Sequence, residues 1–308
     1  MNILQISHPG DHGFFSYCSV ALLQIVDYYY KNKQLPEYVD MSQIFTMFKI
    51  NNNDISHVFF KPAMRYGDLS LDDNVQIFTK DLQFENYHNL QIFTKDLQFE
   101  NYHNLQIFTK DLQFENYHNL QIFTKDLQFE NYHNINYSII TPFIKKYFTL
   151  SNDIRNIILQ IEQKYNIDYE NTCCIFYRGN DKSTETTIPS YDTMYEKILS
   201  LNISDKKILL QSDETEFFEY FTKKLPNHII FNDKIKHIRK KKTSINHITD
   251  CNTKFILVKN FLAIVYIMSK CKYIVCTSGN ISIWITYFRE NSNNIYHYLN
   301  DKWMNPLI

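Results

Sequence analysis

Between residues 172 and 289, short apolar runs of strand length alternate with stretches of helix length, and this alternation restricts the fold more than any other feature of the chain. TCCIFY at 172–177 precedes a helical pattern over 191–201, and KILLQ at 207–211 precedes a second helix opened by Ser212 and Asp213. HIIF at 228–231 leads, through a polar segment, to a long apolar helix over 253–269, and KYIVC at 272–276 to a helix over 281–289. Continuous apolar strands separated by helices form parallel sheets covered on both faces. The expectation is a Rossmann-like α/β domain. Ligands of such sheets bind beyond the carboxyl ends of the strands, so the loops after Tyr177 and Cys276 are where chemistry is expected.

The first of these loops holds Arg178, Gly179, Asn180, Asp181 and Lys182, with Glu185 close behind. A planar guanidinium at a strand end suits a phosphate. The second loop, Thr277, Ser278, Gly279 and Asn280, opens a helix whose first N–H groups favour an anion. Plainer roles stand beside these. Arg178 could pair with Asp181 or Asp213; Asp213, itself a candidate substrate contact, could cap or flank its helix; and Glu185 could be a surface or helix-entry residue.

The chain begins with a strand pattern over 2–7, a loop from His8 to Gly13, and a helical pattern over 14–30. His12 and Gly13 are candidate ligand contacts at this strand end, and His8 or His12 could accept a proton near neutrality. From residue 74 to 133 a 15-residue unit runs four times, NVQIFTKDLQFENYH once and NLQIFTKDLQFENYH three times. Such near-identity marks a recent duplication, and its LQIF and LQF echoes around Thr-Lys-Asp read as two short strands about a turn. The array is expected to be an insertion in the first domain that lengthens a surface loop, without a part in catalysis. After Pro142, Ser151 reads as the N-cap of a helix with Ile154, Ile157, Ile158, Ile161 and Tyr165 on one face, which divides the chain into domains 1–150 and 151–308.

The 308 residues, 44% hydrophobic, can bury a core in each of two domains. With 32 basic and 33 acidic side chains there is no field to recruit nucleic acid or an anionic membrane, and the basic run at 234–242 reads as a solvated loop. Six cysteines without a CxxC pair read as free thiols in a reducing compartment. The N-terminus lacks a signal-peptide pattern, and the most apolar window, 255–268, falls short of the roughly 20 residues of a bilayer span. A cytoplasmic protein is expected. The scarcity of Gly and Pro beside 23 Tyr and 24 Phe fits an A/T-rich coding sequence, as in some protists and large DNA viruses. Neither GxGxxG nor GxxxxGK[ST] occurs, which weighs against dinucleotide cofactors and P-loop chemistry.

CIFYRGNDKSTE, KILLQSDETEFFEYF and CKYIVCTSGNISIWITYFR, in that order, resemble three strand-end motifs of the α1,6-fucosyltransferase and protein O-fucosyltransferase superfamily. The resemblance implies a GT-B-like glycosyltransferase of two Rossmann-like domains, using a GDP-sugar donor without a metal or other cofactor, and a glycan or protein acceptor. Carried over by position, Arg178 would bind the β-phosphate, Asp181 and Lys182 would shape the loop and meet the acceptor, and Glu185 would stand near the base. Ser278, Gly279 and Asn280 would fall in the phosphate-contacting turn. Gly179 departs from the pattern, standing where the superfamily has the second of two arginines. The alternative is an inactive scaffold that binds a partner through the aromatic repeats.

Overall fold

The computed structural model describes residues 2–8, 10–49, 54–61, 76–79, 108–109, 112–113, 127–203, 205–231, 236–241, 243 and 250–306. Two compact units divide the chain, Met1–Leu127 with Asn136–Asn152, and Gln128–Ile135 with Asp153–Ile308.

In the first unit β1 (Asn2–Gln5) runs parallel to β2 (Tyr38–Asp40) on one side and β3 (Gln76–Thr79) on the other. Between β1 and β2, α1 (Phe14–Asn32) buries Tyr17, Cys18, Ala21, Leu22, Ile25 and Tyr29. It ends at Lys33, whose left-handed backbone (φ 57°) turns its N–H onto the Tyr29 carbonyl. A short helix, α2 (Ser56–Phe59), adds buried Phe59 to an aromatic cluster with Phe14 and Phe45. β3 is the head of the first repeat copy. In the third copy β4 (Phe108–Thr109) and β5 (Leu112–Gln113) pair antiparallel. α3 (Tyr137–Tyr147) starts at Asn136, whose side chain accepts the Ser138 N–H, and continues through Pro142. Burial of Ile139, Ile140, Phe143, Ile144 and Tyr147 outweighs the hydrogen bond that proline cannot donate.

The second unit holds α4 (Asn152–Tyr165), β6 (Thr172–Tyr177), α5 (Tyr191–Ser200), β7 (Lys207–Ser212), α6 (Thr215–Lys224) and β8 (His228–Ile229). It continues with α7 (Cys251–Lys270), β9 (Tyr273–Thr277), α8 (Asn280–Arg289), β10 (Ile295–Leu299) and β11 (Lys302–Met304). The sheet order is β11-β10-β9-β6-β7-β8, parallel except for β11. The alternation seen in the sequence is therefore that of a parallel sheet. Every residue of β6 is buried, and Cys173, Ile175 and Tyr177 pack with Met194 and Ile198 of α5 and Phe217 and Phe221 of α6. Each such side chain contributes about 1.5–3 kcal/mol by leaving water. From β6 the chain moves outward through β7 and β8, then returns over α7 to place β9 on the other flank of β6. That reversal is a switch point, the position beyond the strand ends where open α/β sheets bind their ligands.

The hairpin β10–β11 is absent from the sequence-based expectation. Its turn is Asn300-Asp301, both left-handed at φ 49° and 61°, the geometry that favours Asn and Asp in two-residue hairpins. Among the described residues no helix is long and apolar enough to cross a membrane.

Candidate functional site

At the switch point β6 and β9 end side by side, and the Arg178 N–H donates to Thr277 Oγ1 at 2.9 Å, tying the two loops together. The chain then turns at Gly179 and at Asn180, which is left-handed (φ 45°), into a 3-10 turn, Asn180–Thr184. Glu214, fully buried at the start of α6, fixes this turn by accepting from the Asn180 N–H at 2.6 Å and the Tyr191 hydroxyl at 2.5 Å. A Cβ on residue 179 would fall onto that carboxylate. Here lies the physical reason for Gly179, since Glu214 already fills the space a larger side chain would enter.

Asp213 accepts the Gly179 N–H at 2.9 Å through one oxygen and Arg178 Nη1 through the other. Arg178 Nη2 meets Asp181 Oδ1 at 2.5 Å, and Nη1 also reaches the Gly179 carbonyl at 3.4 Å. The guanidinium is thus stretched between two carboxylates, with 18% of the side chain exposed. Three of its five N–H donors are engaged, so two keep no partner among the described residues. Both plain expectations for Arg178, pairing with Asp181 and pairing with Asp213, hold together in one arrangement. Asp213 precedes α6 but acts on the loop; the residue at the N-cap position is Glu214.

Lys182 is buried, 8% exposed, and its ammonium lies 2.6 Å from Glu185 Oε2 and 2.8 Å from Gln128 Oε1. Its stem passes Gly279 so closely that a Cβ there would stand 3.2 Å from Lys182 Cε. Glu185 is 45% exposed at the mouth of the turn. Arg178, Asp181, Lys182, Glu185, Asp213, Gly279 and Asn280 therefore belong to one neighbourhood, with the N-terminus of α8 among them.

Ser278 differs from expectation. Its hydroxyl donates to the Tyr298 carbonyl at 2.7 Å and its N–H to the same oxygen at 3.3 Å, so its donors are spent inside the sheet. His12 and Gly13 lie in the first unit. Gly13 caps α1, and His12 stacks on His8 with ring centroids 4.3 Å apart. Burial first, and His12 second, push the His8 pKa down to about 4.

Sequence reasoning missed Glu214, named Thr277 only as part of its loop, and missed the tail of the fourth repeat copy. Residues 128–135 belong to the second unit, so the expectation of an array held wholly in the first domain and apart from the site is corrected. Gln128 accepts from Lys182 and, at 3.2 Å, from Asn280 Nδ2. Tyr132 stacks on buried His297 with centroids 3.9 Å apart. Burial, then neighbouring His133, pushes the His297 pKa down to about 3.

A pH prediction follows from that burial. The unfolded chain takes up this proton near 6.5 and the folded chain resists it down to about 3, so the contribution of His297 is complete above pH 6.5 and drains away below it. Denaturant unfolding at pH 7.5 and pH 5 should show a stability loss that His297→Phe reduces; an unchanged loss would assign it to other groups.

No protein-family profile matches the sequence, and no curated protein does. Among solved structures, NodZ alpha-1,6-fucosyltransferase co-crystallized with GDP is similar, with a TM-score of 0.52 and 10% identity over 99% of this chain and 98% of that one. Se-Met fucosyltransferase NodZ from Bradyrhizobium is similar too, with a TM-score of 0.51 and 10% identity over 99% and 96% of the two chains. The chain shares the α/β fold of these fucosyltransferases. At such identity the likeness concerns the fold alone, and the roles of residues rest on the geometry above.

Proposed function

We propose that the protein is a glycosyltransferase that moves a sugar, fucose first, from a GDP-sugar to a hydroxyl of a glycan or protein, with inversion and without a metal ion. The observation that carries this reading is the meeting of Arg178, Lys182 and the N-terminus of α8 where β6 and β9 part. Two cations and a helix N-terminus in one crevice suit a diphosphate whose charge grows as the sugar leaves. The two units are read as the Rossmann-like domains of a GT-B enzyme, the first serving the acceptor.

In this mechanism the acceptor oxygen attacks the anomeric carbon from the face opposite the diphosphate and passes its proton to Glu185. Neutralising Glu185 removes its hold on Lys182, 2.6 Å away, and leaves that ammonium to the departing diphosphate. Arg178 offers its two unpartnered N–H donors to the same group. Asp181 and Asp213 keep the fork oriented.

One observation favours the alternative, an inactive scaffold. Arg178 and Lys182 are paired with three carboxylates, Asp181, Asp213 and Glu185, and an anion must compete with them. Incubating the protein with GDP-fucose, GDP-mannose and UDP-sugars and following nucleotide release separates the two. Transfer or hydrolysis of a GDP-sugar, fucose foremost, is expected; no turnover of any donor would leave the scaffold.

A further inference from the structure

The basic run that reads from sequence as a solvated loop is fastened to the site. In its described part, residues 236–241, the Ile238 N–H donates to the Asp213 carbonyl at 3.0 Å, and the Ile238 carbonyl accepts the Thr215 N–H at 2.9 Å. This is a single parallel bridge just beyond the end of β7. Arg239 pairs with Glu219 of α6 at 2.6 Å, and the Lys240 N–H donates to Glu216 at 2.9 Å. The Lys241 N–H donates to Asn180 Oδ1 at 2.8 Å, which brings the segment to the loop after β6.

Asn180 is 2% exposed, and both ends of its amide are engaged. Oδ1 accepts from Lys241, and Nδ2 donates to the Asp213 carbonyl at 2.9 Å. The Asp213 carbonyl therefore takes two hydrogen bonds, from Asn180 and from Ile238, while the Asp213 carboxylate takes Arg178 Nη1 and the Gly179 N–H. What fixes the backbone of Asp213 fixes the guanidinium. The requirements at position 180 are narrow. Its left-handed backbone favours Gly, Asn and Asp. Glycine has no side chain to bridge with, and aspartate would set an oxygen against the Asp213 carbonyl.

We propose that Asn180 is a positioning residue of the nucleotide site, acting through Asp213 on Arg178 and clasping segment 236–241 against the loop after β6. Its effect on the nucleotide rests on the proposed function; the clasp does not.

Asn180→Gly tests both parts, because glycine keeps the left-handed turn and removes only the bridging amide. The first measurement is a double-mutant cycle with Arg178→Ala, read as kcat/KM for GDP-fucose turnover. Asn180→Gly should lower it about tenfold when Arg178 is present, and by less than about twofold when Arg178→Ala is already in place. A residue that acts through the guanidinium has nothing further to act on once that group is gone. Equal losses in both backgrounds, or no loss with Arg178 present, would overturn the positioning role. Asn180→Asp keeps an acceptor for Lys241 and loses the donor to Asp213, so it should turn over as poorly as Asn180→Gly; wild-type turnover would equally refute the link to Asp213.

The second measurement needs no nucleotide. Lys240 and Lys241 are exposed, so the segment is open to trypsin once its backbone is released. Cleavage after Arg239, Lys240 and Lys241, followed by mass spectrometry, should be about tenfold faster in Asn180→Gly than in wild type, because the segment opens more often. An equal rate overturns the clasp. Faster cleavage, in a protein whose wild type turns over no GDP-sugar, leaves the clasp standing and removes the proposed function.

Discussion

Arg178→Ala is expected to lower kcat/KM for transfer from GDP-fucose by about 10²–10³, the loss seen when one fixed donor to a developing negative charge is removed. The effect should fall on kcat as well as on KM, because charge builds on the diphosphate only as the sugar departs. Arg178→Lys should recover little. A single ammonium cannot reach Asp213 and Asp181 together and still present two N–H donors outward. Stability should fall by only about 1–2 kcal/mol, since the guanidinium is partly exposed and its solvent-screened pairing is worth less than a fully buried one. Loss of activity with the fold intact is the expected signature; a fall in kcat/KM of less than tenfold would remove Arg178 from the mechanism.

Gly179→Ala should be the most damaging small substitution in the second unit. Its methyl would overlap the Glu214 carboxylate, and that group cannot retreat without abandoning the Asn180 N–H and the Tyr191 hydroxyl. Overpacking together with a disturbed buried carboxylate is expected to cost about 2–4 kcal/mol. Glu214→Ala should also destabilise, by stranding the same two donors. The pair Gly179→Ala with Glu214→Ala should then cost clearly less than the sum of the single changes, because the first alanine occupies space that the second vacates. Urea unfolding of the four proteins gives the coupling. Strictly additive losses would show that the two positions do not share that space.

Much of the second unit was legible from sequence because buried parallel strands write themselves as uninterrupted apolar runs. TCCIFY is β6 from first residue to last. Chemistry was expected in the loops after Tyr177 and Cys276, and the pairing of β6 with β9 brings them together. β10 was harder to see because IYHYL carries a histidine, which ordinarily reads as exposed, yet His297 is fully buried under Tyr132. Pro142 reads as a break, but five buried side chains carry α3 across it. The place of Gly179 depended on Glu214, a residue distant in sequence that comes near only when β6 and β7 pair. The place of residues 128–133 could not be read, because the same six residues, QFENYH, end all four copies.

The central claim is that the loops after β6 and β9 grip a diphosphate. Calorimetric titration with GDP and with guanosine tests it directly, since the two ligands share a base and a ribose and differ in the phosphates. GDP should bind, with an affinity that weakens as salt is raised, and guanosine should not bind measurably. Equal binding of both, or of neither, would contradict the account.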